Sequence, residues 1–119
     1  MALILLVDDD ELIARMISLR LRVRGHRVEL AHNGREGIDM ALGGEYDLVL
    51  MDMHMPVMDG HEAVRRLREE GYEGVILAVT ASAMSQDSQA AIAAGCNDFI
   101  SKPISDDFEQ RIEDFLTAR

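Results

Sequence analysis

Leu3-Ile4-Leu5-Leu6-Val7-Asp8-Asp9-Asp10-Glu11 sets five uninterrupted apolar residues against four consecutive acids. An apolar run with no polar alternation is how a strand covered on both faces reads. Residues 48–51 and 75–79 have the same character, and residues 99–100 form a shorter run. Residues 28–31 differ, because Val28 and Leu30 alternate with Arg27 and Glu29, the pattern of an edge strand. Helical spacing fills the gaps. Residues 11–24 repeat Leu12, Met16, Leu19 and Val23 and stop at Gly25. Asn33-Gly34 opens a segment with Ile38, Met40 and Ala41 that Gly43-Gly44 closes. Asp59-Gly60 opens another with Ala63, Val64 and Leu67, closed by Gly71. Residues 85–94 form an Ala-rich helix closed by Gly95. Residues 106–118 stack Phe108, Ile112, Phe115 and Leu116, with Ser105 or Asp106 as N-cap. Five strands alternating with five helices predict an α/β fold, a parallel sheet with helices on both faces.

The length, 119 residues, suits one domain spanning residues 1–119, with a radius of gyration of roughly 13–14 Å. No linker, repeat or low-complexity stretch divides it. The core is aliphatic and Met-filled, since three Phe and two Tyr are the only aromatics beside eight Met. Met16, Met40 and Met51 are expected in that core, and Met55 and Met58 in the loop after Asp52. A net charge of −10 argues against binding nucleic acid or an anionic membrane surface. The first apolar run is far short of the roughly 20 residues that span a bilayer. It is followed at once by acids, so it does not read as a signal peptide. The single Cys96 allows no internal disulfide and fits a reducing, cytoplasmic setting, where it fills a small gap.

Ligands of open α/β sheets bind at the carboxyl ends of the strands. The first strand delivers Asp8, Asp9 and Asp10 there, the third Asp52, the fourth Thr80, and the fifth Lys102 and Pro103. Asp10 reads as the cap of the first helix. Asp8, Asp9 and Asp52 crowd, and one must take up a proton unless a cation intervenes. Lys102 brings one positive charge, too little for three acids. Mg²⁺ is a hard cation that takes one or two carboxylates and keeps waters. Asp9 and Asp52 suit direct ligation, with Asp8 holding a bound water. A carboxylate beside Mg²⁺, a hydroxyl and an ammonium points to phosphoryl transfer onto Asp, with Mg²⁺, Lys102 and Thr80 each holding a phosphoryl oxygen.

The motifs Val7-Asp8-Asp9-Asp10, Met51-Asp52-Met53-His54-Met55-Pro56-Val57-Met58-Asp59-Gly60, Val79-Thr80-Ala81 and Phe99-Ile100-Ser101-Lys102-Pro103 stand in order at the strand ends. Together they resemble the receiver domain of two-component response regulators over essentially the whole chain. Several stretches, among them Met53-His54-Met55-Pro56, Ala81-Ser82-Ala83-Met84 and residues 94–99, resemble receivers of hybrid sensor kinases. The resemblance implies a doubly wound, flavodoxin-like sheet of order 2-1-3-4-5. It implies Asp52 as phospho-acceptor, Asp8 and Asp9 as the acidic pair serving Mg²⁺ (or Mn²⁺), and the His54 backbone carbonyl as a further ligand. Thr80 becomes the switch hydroxyl, Phe99 the switch aromatic and Lys102 the phosphate contact, with a cis Lys102–Pro103 peptide. The implied donors are a phosphohistidine on a histidine kinase or phosphotransfer domain, and small acyl phosphates. The implied chemistry is self-phosphorylation and slow dephosphorylation, not conventional turnover.

Residues 85–94 offer only Asp87 as a charge and no basic residue, so a monomer is expected rather than a dimer through that helix. His26, His32 and His61 read as solvated, and the His54 side chain as lining the site mouth. Two other classes fit less well. A flavin-binding module needs a hydroxyl- and Gly-rich phosphate loop where this chain has acids. An Asp-nucleophile phosphohydrolase fits Asp8 and Asp10 in spacing but lacks Thr or Val at the fifth position and a cap domain. Finally, the first helix carries two apolar stripes, Leu12/Met16/Leu19/Val23 and Ile13/Ile17. One faces the sheet. The Ile13 and Ile17 stripe, with Pro103 and Ile104 on the same rim, is expected to dock the phosphodonor.

Overall fold

A computed structural model describes residues 2–55, 58–80, 86–102 and 104–117. The order is β1 (Leu3–Val7), α1 (Glu11–Val23), β2 (Arg27–Ala31), α2 (Gly34–Gly43), β3 (Leu48–Asp52), α3 (Gly60–Glu69), β4 (Ile76–Thr80), α4 (Gln86–Ala94), β5 (Asp98–Ser101) and α5 (Phe108–Thr117). The strands form one parallel sheet of order β2-β1-β3-β4-β5, with the alternating-polarity β2 at an edge. The radius of gyration is 12.7 Å.

Successive strand residues point to opposite faces, so each apolar run feeds two cores. Ile4, Leu6, Leu48, Leu50, Leu77 and Val79 meet α1 and α5 through Ile17, Leu21, Phe108 and Ile112. Leu5, Val7, Val49, Met51 and Ala78 meet α2, α3 and α4 through Ile38, Val64, Leu67 and Ala91. Cys96 closes a gap in this second core, and burial pushes its thiol up to about 12, which leaves it unreactive. Side-chain caps begin the first three helices. Asp10 accepts from the N–H groups of Leu12 and Ile13, Asn33 from that of Glu36, and Asp59 from that of Glu62. At Gly60 any Cβ would collide with the Asp52 carbonyl oxygen and with Met53, so glycine lets α3 start against the end of β3.

Helix α1 corrects the sequence reading. Its buried face is Ala14, Ile17, Ser18 and Leu21, whereas Leu12 is 79% exposed, Leu19 64% and Val23 76%. At about 100° per residue the exposed stripe stands roughly opposite the buried one. The small side chains of Ala14 and Ser18 let the backbone approach the sheet. Ile17 is therefore core and unavailable for docking, and Met16 is exposed rather than core. Met51 is buried as expected, and Met40 packs partly buried against the same core.

Helix α5 begins at Phe108, so Ser105 and Asp106 lie in the turn before it rather than at its cap, and the Ser105 hydroxyl donates to the Asp107 carboxylate. Arg20 grips Glu109 through both carboxylate oxygens at 2.6 and 2.9 Å, and Arg24 meets Glu113 at 2.6 Å. His26 is not solvated. Its ring is largely buried, with Nδ1 accepting from the Ala2 N–H at 3.2 Å and Nε2 against Glu113 at 3.1 Å. His61 is half-buried, and His32 is exposed as expected.

Candidate phosphoryl-transfer site

The parallel sheet brings the ends of β1, β3, β4 and β5 to one rim. Asp8 follows β1 and is anchored by its own N–H, which donates to the Ala31 carbonyl at 3.0 Å. Its side chain is 2% exposed. Oδ1 accepts from the Asp10 N–H at 2.9 Å, while Oδ2 is buried without a hydrogen-bond partner among the described residues. Asp9 is exposed beside it. Asp52 ends β3 at 3% exposure, and its Oδ1 accepts from the His54 N–H at 3.1 Å. Each of the three acids offers one carboxylate oxygen, all within 4.8 Å of one another.

Lys102 reaches this cluster from β5, its Nζ 3.7 Å from Asp52 Oδ2. Its backbone N–H donates to the Thr80 carbonyl at 2.8 Å, which fixes the neighbouring strand ends. Thr80 is fully buried at the end of β4. Phe99, on β5 opposite Ala78, packs half-buried against the core beneath α4. The side chain of His54 is exposed at the mouth. Pro103, with the Lys102–Pro103 peptide, and the stretches 56–57 and 81–85 lie outside the described residues.

The electrostatics follow from the crowding. Burial pushes the Asp8 carboxyl up to about 6, and Asp52 adds to the shift, against the Asp10 N–H and Lys102. Asp8 thus holds its proton to a higher pH than an ordinary carboxyl unless a cation arrives. The donor set fits a hard divalent ion. It is all oxygen, two members are buried, and one buried oxygen lacks a partner. The acids in the phosphate-loop position remain unsuited to a flavin phosphate.

Beside the rim lies an apolar feature that the sequence reading placed only in part. Ile13, Met16, Lys102 and Ile104 line a shallow apolar hollow of about 420 Å³. Ile13 and Ile104 were expected there; Met16 was assigned to the core. The exposed stripe of α1 continues from it through Leu19 and Val23.

Residues 4–113 match the model of the response regulator receiver domain. The chain is 40% identical over 100 residues to an uncharacterized transcriptional regulatory protein, YkoG, of Bacillus subtilis, covering 84% of this chain and 44% of that protein's length. Among solved structures it resembles the receiver domain of a Pseudomonas aeruginosa sensor histidine kinase, with magnesium coordinated in its active-site cleft. That match has a TM-score of 0.85 and 34% identity over 98% of this chain and 95% of the other. It also resembles the receiver domain of the Saccharomyces cerevisiae response regulator Ssk1, solved with the histidine phosphotransfer protein Ypd1. Here the TM-score is 0.84 and identity 27%, over 98% of this chain and 86% of the other. The chain belongs to the response regulator receiver domain family, the receivers of two-component systems. Among the described residues no helix is long and apolar enough to cross a membrane.

Proposed function

We propose that Asp52 accepts a phosphoryl group from a phosphohistidine of a histidine kinase or phosphotransfer protein, in a cytoplasmic phosphorelay. The observation that carries this is three carboxylates within 4.8 Å of one another, with Lys102 placed 3.7 Å from one of them. An Asp52 oxygen attacks phosphorus, the P–N bond to the donor imidazole breaks, and the imidazole leaves. The product is an acyl phosphate, which water later hydrolyses slowly. Lys102 and the Thr80 hydroxyl neutralise and orient phosphoryl oxygens, which is most of what catalysis requires here.

Asp9, Asp52 and the His54 carbonyl would hold Mg²⁺, with Asp8 orienting a bound water. When bound, that ion supplies charge neutralisation for a phosphoryl oxygen. Magnesium in the cleft of the Pseudomonas receiver supports this reading, and Mn²⁺ shares the preference for oxygen. Phosphorylation then draws Thr80 inward and lets Phe99 turn, which changes the α4–β5–α5 face. A monomer is proposed for the domain itself.

The test is intact mass after incubation with a small acyl phosphate and Mg²⁺, then peptide mapping of the modified residue. One adduct at Asp52 is expected. An adduct confined to Asp8 would favour a phosphohydrolase, whose nucleophile follows the first strand. Binding has its own readout. Millimolar Mg²⁺ raises the melting temperature of the protein by mass action, and the rise is lost in Asp9→Ala. A variant that keeps the full shift removes Asp9 from the ligand set.

The donor docks at the hollow of Ile13, Met16, Lys102 and Ile104, continuing over Leu12. The complex of Ssk1 with a phosphotransfer protein supports a partner of this class. Covering an exposed Leu completely stabilises by roughly 1.5–3 kcal/mol, so this face favours being covered. Ile13→Ala and Leu12→Ala each slow transfer from phosphohistidine about tenfold, a loss of about 1.4 kcal/mol. They leave labelling by a small acyl phosphate unchanged. Equal slowing with both donors rejects the docking site.

A further inference from the structure

Helix α1 and the turn before α5 form the two walls of the hollow beside Lys102, and one side chain joins them. Ile13 and Met16 belong to α1, and Ile104 to the turn. Arg20 lies one helical turn beyond Met16 on the same side of α1. Its Nη2 donates to the Ser105 carbonyl at 2.7 Å and to Glu109 Oε1 at 2.6 Å, and its Nε donates to Glu109 Oε2 at 2.9 Å. The guanidinium carbon stands 5.5 Å from the centre of the fully buried Phe108 ring. The Ser105 carbonyl also accepts from the Phe108 N–H at 3.3 Å. All these contacts fall within residues 105–109, directly after Ile104. Lys102 is anchored otherwise, by its N–H to the Thr80 carbonyl of β4 at 2.8 Å. Residues 104–107 belong to neither strand nor helix, and such connections are mobile unless something ties them down.

We propose that Arg20 is a positioning residue for phosphotransfer: it holds residues 104–107 against α1, so that Ile104 already stands beside Ile13 and Met16 when the phosphodonor arrives. This role rests on the donor docking at the hollow. Three hydrogen bonds to two different residues call for a planar fork, which Arg has and Lys lacks. An isolated, fully exposed ion pair would contribute little. The Arg20 and Glu109 side chains are instead only 23% and 16% exposed, and a bidentate pair adds direction as well as attraction. Without the fork the turn is left to fluctuate, and a partner must order it on binding, which weakens docking. The chemistry at Asp52 is spared, because Lys102 hangs on β4 and not on Arg20. Transfer from a protein donor therefore depends on Arg20, and transfer from a small acyl phosphate does not.

The experiment compares wild type with Arg20→Ala, Arg20→Lys and Ile13→Ala in two assays, labelling by acetyl phosphate and transfer from a phosphorylated histidine phosphotransfer domain. Arg20→Ala raises the donor concentration that gives half-maximal transfer about fivefold and leaves the saturating rate alone. Arg20→Lys recovers little of that loss, since an ammonium cannot span both Glu109 oxygens and the Ser105 carbonyl in the same geometry. Acetyl phosphate labels every variant at the wild-type rate. In NMR the Ile104 methyl signals and the amides of residues 104–109 shift in Arg20→Ala, and those amides exchange faster, while the Lys102 amide stays protected. If Arg20→Ala fails to fold, Glu109→Ala gives the same split from the α5 side. Wild-type transfer by Arg20→Ala beside slow transfer by Ile13→Ala would overturn the role of Arg20 and keep the docking site, whereas unslowed transfer in both would overturn the two together. Full recovery in Arg20→Lys would reduce the contact to an ion pair, and equal slowing with both donors would place the damage in the fold. Either result overturns the proposal.

Discussion

Asp52→Asn leaves the protein folded and without a phosphoryl adduct when a small acyl phosphate and Mg²⁺ are supplied. The substitution keeps the volume of a side chain that is 3% exposed, and Asn retains an oxygen for the His54 N–H. What it removes is the anionic oxygen that Lys102 faces at 3.7 Å. An amide oxygen is a feeble nucleophile, so the loss is complete within detection, not partial. Its neighbours cannot substitute. Asp8 is buried with one oxygen engaged by Asp10, and Asp9 lies exposed at the edge of the cluster. Intact mass should show the increment of one phosphoryl group on the wild-type protein and none on the variant. Stoichiometric labelling that survives in Asp52→Asn would remove Asp52 from its proposed role. A Tm close to wild type in the variant separates lost chemistry from lost structure.

The parts legible in the sequence share one property, which is that their signal is local. An unbroken apolar run such as residues 3–7 or 48–51 means a strand covered on two faces, whatever else the chain does. Asp10, Asn33 and Asp59 cap the helices that follow them, two or three residues away. The acid cluster was legible because parallel strands put every carboxyl end on one rim, so the residue after each run could be placed without distances. The face of α1 was not legible. Counting large apolar residues favours Leu12, Met16, Leu19 and Val23, but what packs on the sheet is Ile17 and Leu21 with the small Ala14 and Ser18 between them. Burial there is decided by how closely the backbone approaches, which Ala and Ser permit and which hydropathy does not record. His26 escaped for a different reason. Its partners Ala2 and Glu113 lie 24 and 87 residues away, and no spacing pattern connects them. The hollow beside Lys102 likewise needs the start of α1 and the turn before α5 side by side.

Asp8→Asn is expected to make the protein more stable at neutral pH and less able to be phosphorylated. In the folded chain the Asp8 carboxyl is raised from an ordinary 3.8 to about 6, chiefly by burial and further by Asp52. Between those two values the native state holds a proton that the unfolded chain has released. The contribution of Asp8 to stability is therefore fully present below about pH 4 and is lost as pH rises through about 6. At pH 7.5 without divalent ions the buried charge costs on the order of 2–3 kcal/mol. Asparagine avoids that cost. It keeps an acceptor for the Asp10 N–H and adds an N–H₂ that can donate toward Asp52. A gain of this size raises Tm by on the order of 10 °C in a domain of this length. Subtracting the variant's stability profile from that of wild type should leave a slope confined to pH 4–6. Millimolar Mg²⁺ should stabilise the wild type and leave the variant nearly unmoved, since the ion relieves the same repulsion that Asn removes. Phosphorylation by a small acyl phosphate should fall at the same time, because the stabilised cluster holds the cation poorly. Such a division, stability down and activity up, is what a charged site held inside a fold produces. A variant that melts no later than wild type at neutral pH, or a wild-type difference profile flat between pH 4 and 6, would mean that the three acids are not in electrostatic conflict and that Asp8 is merely part of the scaffold.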